Sequence, residues 1–122
     1  MAAGIVHIPW YATVFRGDKL AVALKEIAPV ALRYGATDFA VHRSRDDQYR
    51  FLQMASFESK VDFERYWYGE EFIGFRADYS SWFQVPVLYV WNDIVLQGSL
   101  DGELTSATAP AEGDTLGGTP GF

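Results

Sequence analysis

At 122 residues, 49% of them hydrophobic and 16% aromatic, the chain is long enough for one globular core and too short for two ordinary domains. A formal charge of −6 argues against a phosphate-binding surface, which needs clustered Lys and Arg, so nucleic acid is not an expected partner. Cysteine is absent, which removes disulfides, thiolate nucleophiles and cysteine-ligated metals.

No apolar run approaches the roughly 18 residues of a membrane span, and "MAAGIVHIPWYATVF" lacks the basic start and cleavage site of a secretory signal. A cytoplasmic location with no membrane partner is expected. Along residues 5–16, Val6, Ile8, Trp10, Ala12 and Val14 alternate with a mixed set, the period-two pattern of a strand. Pro9 cannot donate to a ladder, so this strand is expected at an edge, or bulged near its start. "RGD" then turns the chain and places Asp18 to cap a helix in which Leu20, Leu24, Ile27 and Ala31 recur at helical spacing. Pro29 predicts a kink or break in it, and Gly35 its end.

"TDFAVHRS" and "YRFLQMASF" read as two strands joined by the polar turn "RDDQ", a hairpin. From "SKVDF" to "SSWFQ" the spacing predicts helix, interrupted near Gly69, with Phe72, Phe75, Tyr79 and Trp82 along one stripe. "VPVLYVWNDIVL" predicts a fourth, buried strand. The order βαββαβ gives an α+β, ferredoxin-like domain over residues 1–97: a four-stranded antiparallel sheet with two helices on one face. Tyr11, Phe15, Tyr89 or Trp91 on the uncovered face would leave a large apolar patch, so a homodimer, or a higher homo-oligomer, is expected. Residues 98–122 are rich in Gly, Thr and Pro and carry Asp101, Glu103, Glu112 and Asp114 without a base, leaving twelve acids against ten bases before them. They read as a flexible acidic tail, able to dock on a protein partner.

"EIAPVALRYGATDFAVHRSRDDQYRFLQMASFESKVDFERYWYGEEF" resembles the antibiotic biosynthesis monooxygenase-like family, and the resemblance extends over residues 5–96. It is carried by the strand running into "RGD", by "RYGAT" before the second strand, by the "SRDDQYRF" hairpin, by "SFES" and by "GEEF". The resemblance implies a dimeric α+β barrel. It also implies cofactor-independent oxidoreductase chemistry on a small aromatic or quinol-type molecule held between sheet and helices. Trp10 stands where the family's haem-degrading branch has an Asn, Ala55 where a Glu is frequent and Tyr66 where a helix His is found, which argues against haem degradation.

In that frame Trp10, Phe57, Phe63, Tyr66, Trp67 and Phe72 are the candidate substrate-binding residues. Rings at such spacing more often fill cores than bind ligands, and packing is the favoured reading; the argument for a pocket is that the polar tips of Tyr and Trp need partners when buried. Tyr66, with Trp10, would orient a substrate ring and its hydroxyls. His7 and His42, the only two imidazoles, are the candidate bases, although a solvated surface role is the favoured reading of His42 and an interface hydrogen bond that of His7. Asp46 with Asp47 and Glu70 with Glu71 diverge and have no third ligand, so no metal and no cofactor are expected. A non-catalytic assembly, accessory or cargo protein that docks through its tail is the alternative, and a haem- or pigment-binding module ligated by His a weaker third.

Overall fold

The computed structural model describes residues 3–100. Strand β1 (Gly4–Tyr11) leads into helix α1 (Gly17–Ile27), which passes into a 3-10 helix over Ala28–Tyr34. Strands β2 (Ala36–Arg43) and β3 (Arg50–Phe57) follow, then helices α2 (Lys60–Trp67) and α3 (Glu70–Asp78), and last β4 (Val90–Asp93). The four strands form one antiparallel sheet in the order β2-β3-β1-β4, the ferredoxin-like arrangement, with the helices against one face.

Pro29 shapes the first helix as expected. Regular α-helix stops at Ile27, and the tighter helix that follows carries the proline in its first turn, where no donor is lost. It ends on Gly35 at φ 102°, a conformation that glycine adopts without steric cost. Leu20, Leu24, Ile27 and Ala31 all face the core. Asp18 is a correction: the residue preceding the helix is Arg16, no side chain caps it, and Asp18 lies in the first turn, paired with Arg43. The second helical stretch breaks at Gly69 as expected, and Ser59 Oγ caps α2 by accepting from the Asp62 N–H.

Two strands differ from their sequence readings. The strand β1 is central, not an edge. Tyr11 accepts from Gln84 N–H on the side away from β3, so Pro9, two residues back, turns its missing donor the same way, past the last β4 pair at His7 and Val90. The residues after Val85 give only a four-residue strand, and Val85, Leu88, Val90, Val95 and Leu96 are exposed instead of buried. The faces also sort differently from expectation. Tyr89 and Trp91 lie against Phe63 on the helix side, and Phe15 sits in the loop before α1; of the four expected on the open face only Tyr11 is there. Ile5, Pro9, Leu52, Met54 and Val90 are the larger aliphatic residues of that open face, beside polar ones such as His7, His42, Arg50 and Asn92. All but the first three residues of the expected tail, 98–122, lie outside the described residues. Among the described residues no helix is long and apolar enough to cross a membrane.

Candidate functional site

Helix α2 presents Phe63, Tyr66 and Trp67 to the sheet because residues three and four apart share a face, and α3 continues the surface with Phe72 and Phe75. Trp10 from β1 and Phe57 from β3 rise to meet them. All six sequence-predicted binding residues come together here, none more than 8% exposed. Their rings touch one another in tilted and edge-on pairs: Tyr66 and Phe72 at 4.6 Å between centroids, Trp67 and Phe72 at 5.1 Å, Phe57 and Phe63 at 5.8 Å. This is the geometry of a packed aromatic core.

The polar tips of that cluster satisfy one another. Trp10 Nε1–H donates to Gln53 Oε1 at 3.0 Å, Gln53 Nε2–H donates to Tyr66 Oη at 3.0 Å, and Tyr66 O–H donates to the Ile27 carbonyl at 2.7 Å. That last carbonyl closes α1, where the helix changes pitch at the Pro29 segment. Burial pushes the Tyr66 phenol well above its ordinary range, against a smaller opposing effect of the Gln53 hydrogen bond, so Tyr66 acts as a neutral donor. Gln53 was not anticipated. Its signal was an amide in the inward-facing series Phe51, Gln53, Ala55, Phe57, where an apolar residue is the ordinary choice.

The two histidines lie on the other side of the sheet. His7 stands opposite Met54 and His42 opposite Leu52, whereas Trp10 stands opposite Phe51, and residues directly opposite share a face. His7 and His42 therefore do not meet Tyr66 or the ring cluster. Among the described residues no group of three or more His, Asp or Glu is placed to hold a metal ion.

Ring surface reaches solvent at one end of the cluster. From Trp10 the contacts run to Phe75 (5.7 Å), on to Tyr79 (5.2 Å) and to Trp82 (4.5 Å). Tyr79 and Trp82 form one wall of a groove of about 490 Å³, and α1 supplies the other through Val22 and Ala23. Asp18, Lys19 and Glu26 provide its charges, with Lys19 Nζ 5.8 Å from the Trp82 ring centroid. At the far end of the cluster Arg76 lies 3.9 Å from the Trp67 ring centroid and donates to the Trp67 carbonyl at 2.8 Å.

No family model and no curated protein matches the sequence. Solved structures do match the fold. SnoaB, a cofactor-independent oxygenase from Streptomyces nogalater solved as a mutant, is similar at 11% identity and a TM-score of 0.66, over 83% of this chain and 99% of its own. A structure from Nitrosomonas europaea bearing the name "putative antibiotic biosynthesis monooxygenase" is similar at 16% identity and a TM-score of 0.67, over 82% and 92%. A protein of unknown function from the same organism gives 14% identity and a TM-score of 0.70, over 84% and 98%. The chain thus has the fold of antibiotic biosynthesis monooxygenase-like structures, as its sequence resemblance implied, and identities this low speak for fold alone.

Proposed function

We propose that the chain is a monooxygenase-like protein that holds a small planar aromatic or quinol-type molecule in the groove between α1 and the Tyr79–Trp82 turn. The observation that carries this is the surfacing of the ring train: Trp82 and Tyr79 offer an accessible stacking wall in a volume suited to one small ligand. Trp10 and Phe72 back that wall through Phe75. With their polar tips paired to protein, Trp10 and Tyr66 serve as support behind the ligand.

The likeness to a cofactor-independent oxygenase supports an oxygen-dependent reaction. For an anthrone-type substrate one O₂ converts a ring methylene to a carbonyl and releases one water, with the substrate itself supplying the electrons. A carboxylate at the groove, Glu26 or Asp18, accepts the proton that substrate must lose, and Lys19 stands by the resulting enolate charge. The reading includes a homodimer formed across the open sheet face.

Titrating a panel of hydroquinones and anthrones while following tryptophan fluorescence and oxygen uptake tests the assignment. We expect at least one compound to bind, and Trp82→Ala to weaken it by about tenfold or more, a loss typical of one stacked ring removed from a small site. A panel that neither binds nor consumes oxygen above background rules the proposal out. Binding without oxygen uptake would favour the alternative of a non-catalytic accessory protein, a reading supported by the closed Trp10–Gln53–Tyr66 chain, which leaves no free proton acceptor among those groups.

A further inference from the structure

Phe15 is the only non-glycine residue with positive φ among the described residues, at 69°, and it is 87% exposed. A bulky side chain in the left-handed region costs free energy, and an exposed ring recovers none of it within the chain. The conformation is nevertheless held firmly. Arg16 N–H bonds back to the Thr13 carbonyl at 3.0 Å, Thr13 N–H donates to the Trp82 carbonyl at 3.0 Å, and the Thr13 hydroxyl and Arg16 Nη1 both donate to the Ser81 carbonyl, at 2.8 and 3.0 Å. The Phe15 N–H itself points to Tyr49 Oη at 3.4 Å.

Beneath this ring lies a second recess of about 590 Å³, bounded by Phe15, Tyr49, Gln48, Arg43, Asp18 and Gly17. Arg43 is fixed before any ligand arrives. Its Nε–H donates to the Gln48 carbonyl at 2.7 Å, its Nη1–H to Asp18 Oδ1 at 3.0 Å, and its guanidinium lies over the Phe51 ring with 5.0 Å to the centroid. A Cβ on Gly17 would stand 2.7 Å from Arg43 Nη2 and 3.1 Å from the Gln48 carbonyl, so the guanidinium packs closely against the bare backbone there. Two of the five guanidinium N–H groups are used in these bonds. Asp18, the only carboxylate at the recess, has a side chain 95% exposed, so water weakens its hold on Arg43.

We propose that this recess binds a planar aromatic carboxylate, its ring between Phe15 and Tyr49 and its anionic group on the free donors of Arg43. A fixed guanidinium recognises a carboxylate by direction as well as charge, and a ring that is both strained and exposed gains its compensating contact when the ligand seats. The recess adjoins the groove at Trp82 and shares Asp18 with it, but its ring and guanidinium contacts are its own and do not depend on the groove's assignment.

Benzoate, its neutral analogue benzamide and acetate can be titrated into the full chain by calorimetry, with the Arg43 Nε–H resonance followed in parallel. Benzoate should bind at least about tenfold tighter than either comparator, as expected for one charge-assisted hydrogen bond combined with ring contact. Phe15→Gly suits the same φ without a side chain, so it should lose benzoate affinity while melting at the same or a higher temperature. Arg43→Lys, which keeps the charge but not the fork, should also weaken benzoate, and Trp82→Ala should not. The proposal is overturned if benzoate does not bind, if benzamide or acetate binds equally well, or if Phe15→Gly binds benzoate like the parent chain.

Discussion

Replacing Gln53 by Leu keeps most of its volume but leaves the Trp10 Nε1–H without an acceptor where water does not reach. An orphaned buried donor costs about 1–3 kcal/mol, so Gln53→Leu should lower unfolding stability by that amount in urea titration. Tyr66→Phe removes a donor to the Ile27 carbonyl and an acceptor for Gln53, and should cost a similar amount. The double variant should cost less than the two singles together, because the Gln53 amide N–H that Tyr66→Phe leaves without an acceptor is absent from the double. Tyr66 also sets an alkaline limit. Its folded pKa is raised above the ordinary 10.0, so the unfolded chain loses this proton first. The stabilisation is whole below about pH 10 and declines above it at up to roughly 1.4 kcal/mol per pH unit. The stability difference between the parent chain and Tyr66→Phe should therefore shrink as pH rises above about 10, and a constant difference there would contradict the buried neutral phenol. The rings of this cluster were legible in the sequence because helical spacing and bulk announce them. The amide that satisfies them was not, because β3 pairs Gln53 with Trp10 and Tyr66 across 43 and 13 positions of chain.

At the scale of elements, two glycines five residues apart carry opposite consequences. A Cβ on Gly69, between α2 and α3, would stand 2.7 Å from the Arg65 carbonyl and 2.8 Å from Tyr34 Oη. Tyr34 cannot retreat freely, since its hydroxyl is bonded to Glu71, which Arg33 also holds at 2.9 Å. Gly69→Ala should cost about 1–3 kcal/mol by forcing the α2–α3 junction apart. Gly74 lies inside α3, and a Cβ there meets nothing within 4 Å. Gly74→Ala should instead stabilise by about 0.5–1 kcal/mol through helix propensity, and thermal melts of the two variants check both signs. Gly69 marked the break between the two helices and Gly74 did not, since α3 runs through it, and sequence alone does not separate a glycine required by contact from one that is merely tolerated. Pro29 was informative because its effect is local and covalent. Asp18 misled because capping preference assumed a helix start that the Thr13–Arg16 turn moved to Arg16, leaving Asp18 inside the first turn with Arg43 as its partner.

Across the whole molecule, the region after Val85 reads as a buried strand yet leaves five large apolar side chains exposed, and the open face of the sheet adds Ile5, Pro9, Leu52 and Met54. Fold class was legible because strand and helix periods are properties of one chain. Burial on this side was not, because a single chain has no element left to place there. In the proposed homodimer a second copy would cover β3, β1 and the exposed Val90 edge and shelter these apolar side chains from water. The two histidines would then lie within or beside the contact, which gives them a structural setting distinct from the ring cluster. Sedimentation at micromolar concentration should give twice the 13.7 kDa chain mass. Met54→Lys sits in the middle strands of that face and only half-buried in one chain, so it should yield a folded monomer with unchanged far-ultraviolet dichroism, the lysine being solvated on a lone sheet but desolvated in a dimer. A parent chain that sediments as a monomer contradicts the dimer outright, whereas a Met54→Lys chain that still dimerises moves the contact off the sheet face and onto the exposed Val85–Leu96 segment.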